Sequence, residues 1–421
     1  MSAIIDPPTA DAPARLKVGA RFLFAYAFAN FGLWVALLAP IIVSLQLHIE
    51  HIDPAHKERS LSLVLGAGAL LGLLANPLCG RLSDRTTSRF GMRRPWILAS
   101  SIVGVAGLAV VAEASSVPGV LVGWCIVQLG YNGLLAGLMP VLPDQVPPHR
   151  RGMVSGTLGV GQALAAIVAT GIAGGLSNRP LLMFTVPGFV AVLAAVVLFT
   201  QLRDRRLDPA DRPPLRLGDL LRSFWVNPRR YPDFAWAWVS RFMIFMAIAS
   251  VLNYQVYYLQ DRLQLSGDDV TRMVGIGVLV QTVSVVLSSN LTGWLSDRFG
   301  RRRIFVCLAA AVTAVGLLIL AVAADEQQYL LAMVFTGLGQ GTYFAVDLAL
   351  VADVLPNRHE DAAKDLGVIN VANTLPQSLA PAIAPLLLAV GAGGNYTALF
   401  IAGAVFAVLS GASVLAVKGA R

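Results

Sequence analysis

Charged residues are scarce in this sequence. Asp, Glu, Lys and Arg together make up 13% of the 421 residues, whereas hydrophobic residues make up 56%. A soluble protein of this length carries roughly a quarter of its residues as charged side chains. The shortage of charge therefore excludes an ordinary soluble globular protein.

Cysteine and the short motifs of metal and nucleotide chemistry are also scarce or absent. The three cysteines, Cys79, Cys125 and Cys307, have no metal-ligand spacing, and we interpret them as small packing residues. The sequence has no His-x-x-x-His pair, no Gly-x-Ser-x-Gly elbow and no nucleotide-binding loop. We therefore predict that the protein is not an enzyme, binds no metal or cofactor and is not driven by ATP.

Long apolar runs are what the sequence does contain. Twelve of them are about long enough to cross a hydrocarbon layer of roughly 30 Å as helices. They lie near residues 22–47, 61–80, 95–113, 118–142, 152–176, 181–201, 234–259, 272–291, 303–323, 328–352, 367–390 and 396–417. These runs predict an all-α integral membrane protein with twelve transmembrane helices.

The runs fall into two groups of six, separated by a segment rich in Pro, Arg and Asp. We predict a cytoplasmic N-terminal tail at 1–21, an N-terminal six-helix bundle at 22–201, a cytoplasmic linker at 202–233 and a C-terminal six-helix bundle at 234–421. Apolar residues recur at helical spacing over 217–225. They indicate a short helix on the membrane surface or, alternatively, an irregular basic loop.

Basic residues are distributed unevenly about the runs. If the N-terminus lies in the cytoplasm and the helices alternate, 26 of the 32 Lys and Arg residues fall on the cytoplasmic side and five fall outside. The positive-inside rule requires a bias of this kind. The net charge of +8 therefore reflects topology rather than nucleic-acid binding. We expect a multi-pass protein of the cell membrane (inner or plasma membrane) with both termini cytoplasmic.

One short basic turn occurs twice, at equivalent positions of the two halves. The stretches "GRLSDR" (Gly80–Arg85) and "GWLSDR" (Gly293–Arg298) each join the second and third runs of a half. A duplicated six-helix unit is typical of alternating-access transporters. We expect each glycine to allow close packing, and each aspartate to accept hydrogen bonds from a helix N-terminus or an arginine of the opposite half. The predicted cytoplasmic gate comprises Gly80, Asp84, Arg85, Arg93, Arg94, Gly293, Asp297, Arg298 and Arg301.

Three stretches carry a resemblance to a known family. The turn "SDRTTSRFGMRRPWI" (Ser83–Ile97) is similar to that of the sucrose/proton symporters of plants and their relatives. The stretches "FGLWVALLAP" (Phe31–Pro40) and "GVINVANTLPQ" (Gly367–Gln377) resemble the first and eleventh helices of those symporters. Over essentially its whole length the chain resembles the major facilitator superfamily, within or near the glycoside–pentoside–hexuronide group. The resemblance implies two pseudo-symmetric six-helix bundles and transport of a sugar or glycoside driven by a cation gradient.

Polar side chains inside the predicted helices are mostly amides. Polar groups at bilayer depth tend to mark a solute path, and amides both donate and accept hydrogen bonds, which suits a neutral polyhydroxylated ligand. Hydrogen bonding between helices is the alternative role. The predicted substrate-binding residues are Asn30, Gln128, Asn132, Gln162, Asn253, Gln281, Gln340, Tyr343, Asn370 and Gln377.

Two charged residues lie well inside predicted helices. Arg241 lies about 12 Å from the cytoplasmic start of the seventh run, and Asp347 about 9 Å from the cytoplasmic end of the tenth. Pairing would lower the cost of each charge, so we predict a proton-coupling pair or, alternatively, a static ion pair. The resemblance places Gln128 where the sucrose symporters carry an aspartate, so the membrane carboxylate is in the C-terminal half only.

These features favour a secondary active transporter that works by alternating access. The principal hypothesis is proton-coupled symport of a sugar or glycoside. A proton-coupled exporter of drugs or secondary metabolites is the alternative, since it shares the fold and the duplicated turn. The expected partners are the small-molecule substrate, a proton or other cation, and the lipid bilayer, and the protein is expected to be a monomer.

Overall fold

The computed structural model describes residues 19–208, 210, 212, 226–354, 362–391 and 394–417. Every regular element within these ranges is a helix. Twelve helices in the described part of the chain are long and apolar enough to cross a membrane. The predicted fold class, an all-α membrane protein with twelve spans, is confirmed. The N-terminal tail up to residue 18 and the predicted surface helix at 217–225 lie outside the described residues.

We number the membrane spans 1–12 in chain order. Spans 1–6 are built from the helices Ala20–Ala39, Pro40–Ser44, Leu45–Ile52, Lys57–Asp84, Arg94–Glu113, Val117–Leu138, Pro148–Gly175 and Pro180–Gln201, of which the first three together form span 1. Spans 7–12 are Pro232–Leu252, Asp268–Phe299, Arg302–Val322, Glu326–Val354, Ala362–Leu388 and Tyr396–Leu415. Shorter helices flank spans 2, 4 and 7, at Pro54–His56, Val141–Gln145 and Gln255–Asp261.

The two halves repeat one packing pattern. In the N-terminal half span 1 packs against spans 5 and 6, while span 4 packs against spans 2 and 3. In the C-terminal half span 7 packs against spans 11 and 12, while span 10 packs against spans 8 and 9. The halves meet where span 2 contacts span 11 and span 5 contacts span 8. The chain therefore forms two pseudo-symmetric six-helix bundles.

Span 1 is interrupted beyond its middle. Pro40 has no amide hydrogen with which to continue the α-helical pattern, and the next turn is a π-helix, Pro40–Ser44. Such a turn leaves carbonyl groups without their usual helical partners. The side-chain amide of Gln46 donates to two carbonyls of this turn, to Ile41 O at 3.1 Å and to Ile42 O at 2.9 Å.

The sequence predicted one continuous run at 234–259, but the structure divides it into two helices at a turn over residues 253–254. The turn frees backbone donors at the start of the second helix. The side-chain oxygen of Gln46 accepts a hydrogen bond from Val256 N at 3.1 Å, and the Tyr257 hydroxyl donates to the Gln46 carbonyl at 2.9 Å. Gln46 is fully buried, and it joins the interruptions of spans 1 and 7 across the two halves.

Further contacts between the halves lie near Gln46. Ser62 Oγ donates to the Pro381 carbonyl, which links span 2 to span 11. Lys57 Nζ lies 2.8 Å from Asp261 Oδ1 in the other half and 3.0 Å from Glu50 Oε1 in its own. These contacts tie the bundles together at one end of the molecule, which we call the closed end. The opposite end carries the two arginine-rich turns, and we call it the basic end.

A carboxylate beyond span 6 caps span 3. Asp204 Oδ2 accepts hydrogen bonds from Arg93 N at 2.6 Å and from Arg94 N at 2.9 Å, where the helix of span 3 begins. An acidic group at a helix N-terminus accepts hydrogen bonds from amides that lack a helical partner. It also interacts favourably with the positive end of the helix dipole. Gly91, at φ +106°, leaves room for this carboxylate, since a Cβ there would collide with the Asp204 side chain.

We expect Asp204→Ala to destabilise the protein by about 1–2 kcal/mol, because the amides of Arg93 and Arg94 would lose their acceptor. Thermal unfolding of the detergent-purified protein measures the change. Asp208→Ala is the matched control, since the bond that Asp208 Oδ1 accepts within the described part of the chain is a local one from Ala210 N at 3.0 Å. Equal melting temperatures for both variants would contradict the capping role.

Candidate functional site

A charged pair is buried inside the C-terminal half. Arg241 of span 7 donates through Nη1 to Asp347 Oδ2 of span 10, and through Nε to Asn373 Oδ1 of span 11. The side chains of Arg241 and Asp347 are 9% and 5% exposed. The pairing expected from their depths in the two helices is thus present in the structure, while its role in proton coupling stays a prediction.

Close helix packing orients Asp347 toward span 7. Glycines in the middle of span 10 bring it onto span 8, because a Cβ on Gly341 would lie 2.8 Å from Val285 Cα. Asp347 follows Gly341 by six residues, which is about 240° around a helix. The carboxylate therefore lies on a side of span 10 turned away from span 8, where Arg241 reaches it.

Aromatic residues lie on both sides of the Arg241–Asp347 bond, Phe245 near the guanidinium and Tyr343 near the carboxyl group. Tyr343 lies one turn before Asp347, is buried and hydrogen-bonds to its carboxyl group. The Arg241 guanidinium lies 5.8 Å from the centre of the Phe245 ring, and that ring lies 6.1 Å from Phe344. Phe344 is 40% exposed. The site therefore presents a cation beside an accessible apolar wall.

Aromatic stripes also follow spans 1 and 7, which are equivalent in the repeat. Phe24, Phe28 and Phe31 stack in sequence along span 1, with ring centres 5.8 and 6.4 Å apart. Trp238 and Phe242 stack on span 7 at 5.3 Å. Five residues that the sequence analysis did not single out thus give these two spans an apolar, planar surface.

Several of the amides predicted to bind substrate are bonded within their own half. Asn30 Nδ2 donates to the carbonyl one turn earlier, at 3.0 Å. Asn132 Nδ2 donates to Gln128 Oε1 at 2.8 Å, and Gln281 Nε2 donates to Gln340 Oε1 at 3.3 Å. The Gln281–Gln340 bond joins spans 8 and 10, which is the alternative role expected for the amides, whereas the bonds of Asn30 and Asn132 lie within their own helices.

The remaining predicted amides divide into two groups. Asn253 is buried at the interruption of span 7. Gln162 of span 5 and Asn370 and Gln377 of span 11 are exposed. Asn370 lies nearest the charged pair, because its side-chain oxygen is 3.5 Å from Asn373 Nδ2. Of the exposed amides, Asn370 is therefore the one that the structure connects to Arg241.

The first copy of the basic turn forms its contacts within the N-terminal half. Arg93 Nη2 lies 2.9 Å from Asp144 Oδ2, at the end of span 4, and 3.5 Å from Asp84 Oδ1. The partner from the opposite half that the sequence predicted for Asp84 is not seen in the described residues. In this structure Asp84 is instead paired with Arg93 of its own turn.

The other predicted gate residues lie at the basic end with differing surroundings. Arg94 lies 5.3 Å from the Phe199 ring and Arg298 5.5 Å from the Trp294 ring, while Arg85 is half-buried and Arg301 exposed. The close packing expected at the glycines is not present: the nearest described atom to a Cβ on Gly80 would be 3.9 Å away, and around Gly293 none of the described atoms lies within 4 Å. The side chain of Asp297 lies outside what the structure describes.

Sequence reasoning missed Gln46, Lys57, Asp204 and the aromatic stripes. Gln46 had a signal: it is an amide inside an apolar run, six residues after a proline. No feature of the sequence marks Asp204, since it is one of several acidic residues in a polar segment. The aromatic stripes follow helical spacing on spans 1 and 7, which could have been read from the sequence.

Comparison with known proteins places the fold among transporters. The family model described as "Major Facilitator Superfamily" matches residues 22–292 and 271–419. Two solved structures share the fold. The nucleoside transporter NupG aligns with a TM-score of 0.71 and 14% identity, over 94% of this chain and 99% of that one. A bacterial homologue of the human lysosomal transporter Spinster, in an inward-facing conformation, aligns with a TM-score of 0.66 and 15% identity, over 94% of each chain.

Among proteins related in sequence, the chain is similar to a probable 4-methylmuconolactone transporter of Cupriavidus pinatubonensis. The two are 40% identical over 118 residues, 27% of this chain and 26% of that protein. It is also similar to the multidrug resistance protein MdtG of Salmonella typhimurium, at 26% identity over 268 residues, 61% of each chain. The matches thus span about a quarter and about three fifths of these relatives' lengths.

Proposed function

The chain belongs to the major facilitator superfamily of membrane transporters, and on that premise we propose that it is a secondary active transporter that couples a proton to the movement of a small organic solute by alternating access. Symport is the mode that the site supports best. The observation that carries the proposal is the buried Arg241–Asp347 pair, since a buried carboxylate within a membrane span is a group that can take up a proton.

The pair can respond to conformation because its partners belong to three spans. Arg241, Asp347 and Asn373 lie on spans 7, 10 and 11. A shift of one span against the others would separate guanidinium from carboxylate and change the affinity of Asp347 for a proton. A proton drives a transition only through such differential binding to two states. The alternative role, a static brace, predicts a uniporter.

Alternating access requires two ends that open in turn. The described hydrogen bonds between the halves lie at the closed end. The arginine-rich turns, the start of span 1 at Ala20 and the end of span 12 at Leu415 belong to the basic end, which the positive-inside rule assigns to the cytoplasm. On this assignment the described conformation is closed to the outside, and the duplicated turn closes the cytoplasmic side in the other state.

Amides and aromatic rings of the spans bear on the chemical class of the solute. Sequence reasoning favours a sugar or glycoside because the spans are rich in amides. In the structure, however, many of those amides are bonded to each other, and aromatic rings flank the charged pair. These contacts favour a solute with a planar apolar face, such as a glycoside with an aromatic group, over a simple sugar.

Export of drugs or secondary metabolites is the second candidate. The similarity to proteins named as multidrug resistance proteins, over 61% of the chain, favours it. The aromatic stripes along spans 1 and 7 suit such solutes equally well. The direction in which the proton moves relative to the solute distinguishes symport from export by proton exchange.

Proteoliposomes that enclose a pH-sensitive dye test the proposal. We expect that adding a transported solute outside moves protons inward with it, so the lumen becomes more acidic. Export by proton exchange predicts the opposite sign, a more alkaline lumen. Solute uptake without any lumenal pH change would establish uniport and overturn the proposal, and liposomes without protein give the background.

We expect Asp84→Asn and Asp297→Asn to slow transport several-fold while leaving solute affinity unchanged. Asp84 lies in the turn at the basic end and pairs with Arg93 rather than with a residue near Arg241. Initial rates and the half-saturating solute concentration in proteoliposomes measure the two effects separately. Asp325→Asn, in a loop at the closed end, is the control, and wild-type rates in both turn variants would contradict the gate role.

A further inference from the structure

The Arg241–Asp347 pair is electrically neutral. One guanidinium faces one carboxylate, and the titratable groups that act on Asp347 among the described residues are Arg241 of span 7 and Tyr343 of its own helix. Of the other helices packed against span 10, span 8 contributes hydroxyls near this depth, such as Thr292, which bonds Thr342. Arg241 and Asp347 together therefore determine the net charge of the site.

We infer that the solute carries a carboxylate, which binds Arg241 when Asp347 takes up a proton. This inference rests on the proposed proton-coupled function and names the class of its substrate. Protonation of Asp347 removes the negative partner of the guanidinium, and the solute carboxylate replaces it. The site then holds neutral Asp347, the Arg241 cation and one solute anion, so its net charge is zero again.

Arg241 keeps a donor nitrogen for this exchange. Its Nε and Nη1 are bonded to Asn373 and Asp347, and no bond of its Nη2 is found among the described residues. Guanidinium groups bind carboxylates through two parallel N–H donors. Asn370, exposed and 3.5 Å from Asn373, adds an amide that can donate to the same anion.

Charge neutrality explains why proton and solute would move together. With the proton alone the buried site carries a net charge of +1, and with the anion alone a net charge of −1. A net charge held in the membrane interior is strongly disfavoured. Only the empty and the fully loaded carrier would therefore change conformation readily, which couples one proton to one carboxylate and makes transport electroneutral.

The same charge balance argues against a neutral sugar as the coupled solute. A proton on Asp347 with an uncharged solute leaves the Arg241 cation without a counter-ion. The Phe245 ring beside the guanidinium, with the Phe344 ring next to it, indicates that the rest of the anion is apolar and planar. We assign the site to a carboxylate attached to a planar apolar group, for which benzoate is a simple probe.

Binding to the purified protein tests the assignment through three matched pairs: benzoate with benzamide, glucuronate with glucuronamide, and lactate with lactamide. Thermal shift and calorimetry at pH 5.5 and 7.5 measure affinity. We expect at least one carboxylate, benzoate first, to bind more tightly at pH 5.5, with up to a tenfold gain per pH unit while Asp347 is titrating. The uncharged partner of each pair should show no such gain.

Two variants separate the charge model from a structural effect. Asp347→Asn mimics the protonated carboxyl, and we expect it to bind benzoate with wild-type affinity or better and without dependence on pH. The double variant Arg241→Gln/Asp347→Asn leaves no unpaired buried charge and keeps similar side-chain volumes, so it should fold. It should bind no carboxylate at either pH.

The outcomes distinguish this inference from the proposed function. A proton flux driven by an uncharged solute, with none driven by the carboxylates, overturns the carboxylate assignment and keeps proton symport. No proton flux with any solute overturns both. Carboxylate-driven proton flux that changes when the membrane potential is clamped with valinomycin and potassium overturns the one-to-one charge balance, whereas insensitivity to the potential supports it.

Discussion

Asp347→Asn is expected to abolish accumulation of solute driven by a pH gradient while leaving exchange of internal for external solute near the wild-type rate. The substitution removes the proton site but keeps the shape of the side chain. An empty carrier then holds the Arg241 cation without a counter-charge, whereas in the described structure the two groups neutralise each other. The return of the empty carrier, which net transport requires, is therefore blocked.

The size of this effect follows from the cost of a buried charge. Breaking a buried ion pair by removing one partner costs about 3–5 kcal/mol, and every 1.4 kcal/mol is a factor of ten in a population or rate. Net uptake should therefore fall by at least about a hundredfold. Exchange requires only that the loaded carrier reorients. In that state a bound counter-ion or another neutralising contact balances the charge of Arg241.

Proteoliposomes measure both activities in one preparation. Counterflow of labelled solute reports exchange, and uptake against an imposed pH gradient reports accumulation. Asp269→Asn is the control, because Asp269 is an exposed carboxylate paired with Arg272 on the same helix. Accumulation that survives in Asp347→Asn with its pH dependence intact would show that the coupling group lies elsewhere.

Gln46→Leu is expected to open the closed end. The leucine keeps the volume but cannot accept from Val256 N, and it leaves Ile41 O and Ile42 O without the side-chain donor. A buried backbone group without a partner costs about 1–3 kcal/mol. Val256 N regains water as a partner when the halves separate, so the variant should shift the population toward that state roughly 5- to 150-fold.

Distances between spin labels across the closed end report the shift. Labels at His56→Cys and Arg262→Cys, introduced after the three native cysteines are replaced by serine, should show a longer distance in the Gln46→Leu background. Gln260→Leu is the matched control, since its amide also crosses between the halves, to Glu50 at 2.7 Å, but at a half-buried position. Unchanged distances in the Gln46 variant would refute a latch at this residue.

The fold was predictable from the sequence because lipid leaves the chain few choices. Backbone polar groups in hydrocarbon must be satisfied within a helix or a closed barrel, so run length and hydropathy determine the spans. The same constraint made the Arg241–Asp347 pair predictable, since two opposite charges at similar depth have few other partners. Span interruptions were not predicted, because Asn253 and Tyr254 are compatible with a helix until Gln46 of the other half supplies a partner.

The candidate site was predictable only in part because amides have two equally good roles. Asn132 bonds Gln128 one turn away and Gln281 bonds Gln340 of a neighbouring span, and a sequence does not reveal such pairing. Asn373, which bonds Arg241, looks no different in sequence from Asn370, which stays exposed. Rotation of one helix against another decides between these roles, and that rotation depends on the packing of the whole bundle.

The cap formed by Asp204 determines where this polypeptide can be divided. The segment just after span 6 is attached to the first six helices, because Asp204 bonds the start of span 3 and Gln145 Nε2 donates to the Arg203 carbonyl at 2.6 Å. A cut after residue 202 would place Asp204 on the second fragment, away from the start of span 3 that it caps. A cut after residue 208 gives up the local Asp208–Ala210 bond but keeps the Asp204 and Arg203 contacts within the first fragment, so co-expression of residues 1–208 with the remainder is the division that should reassemble.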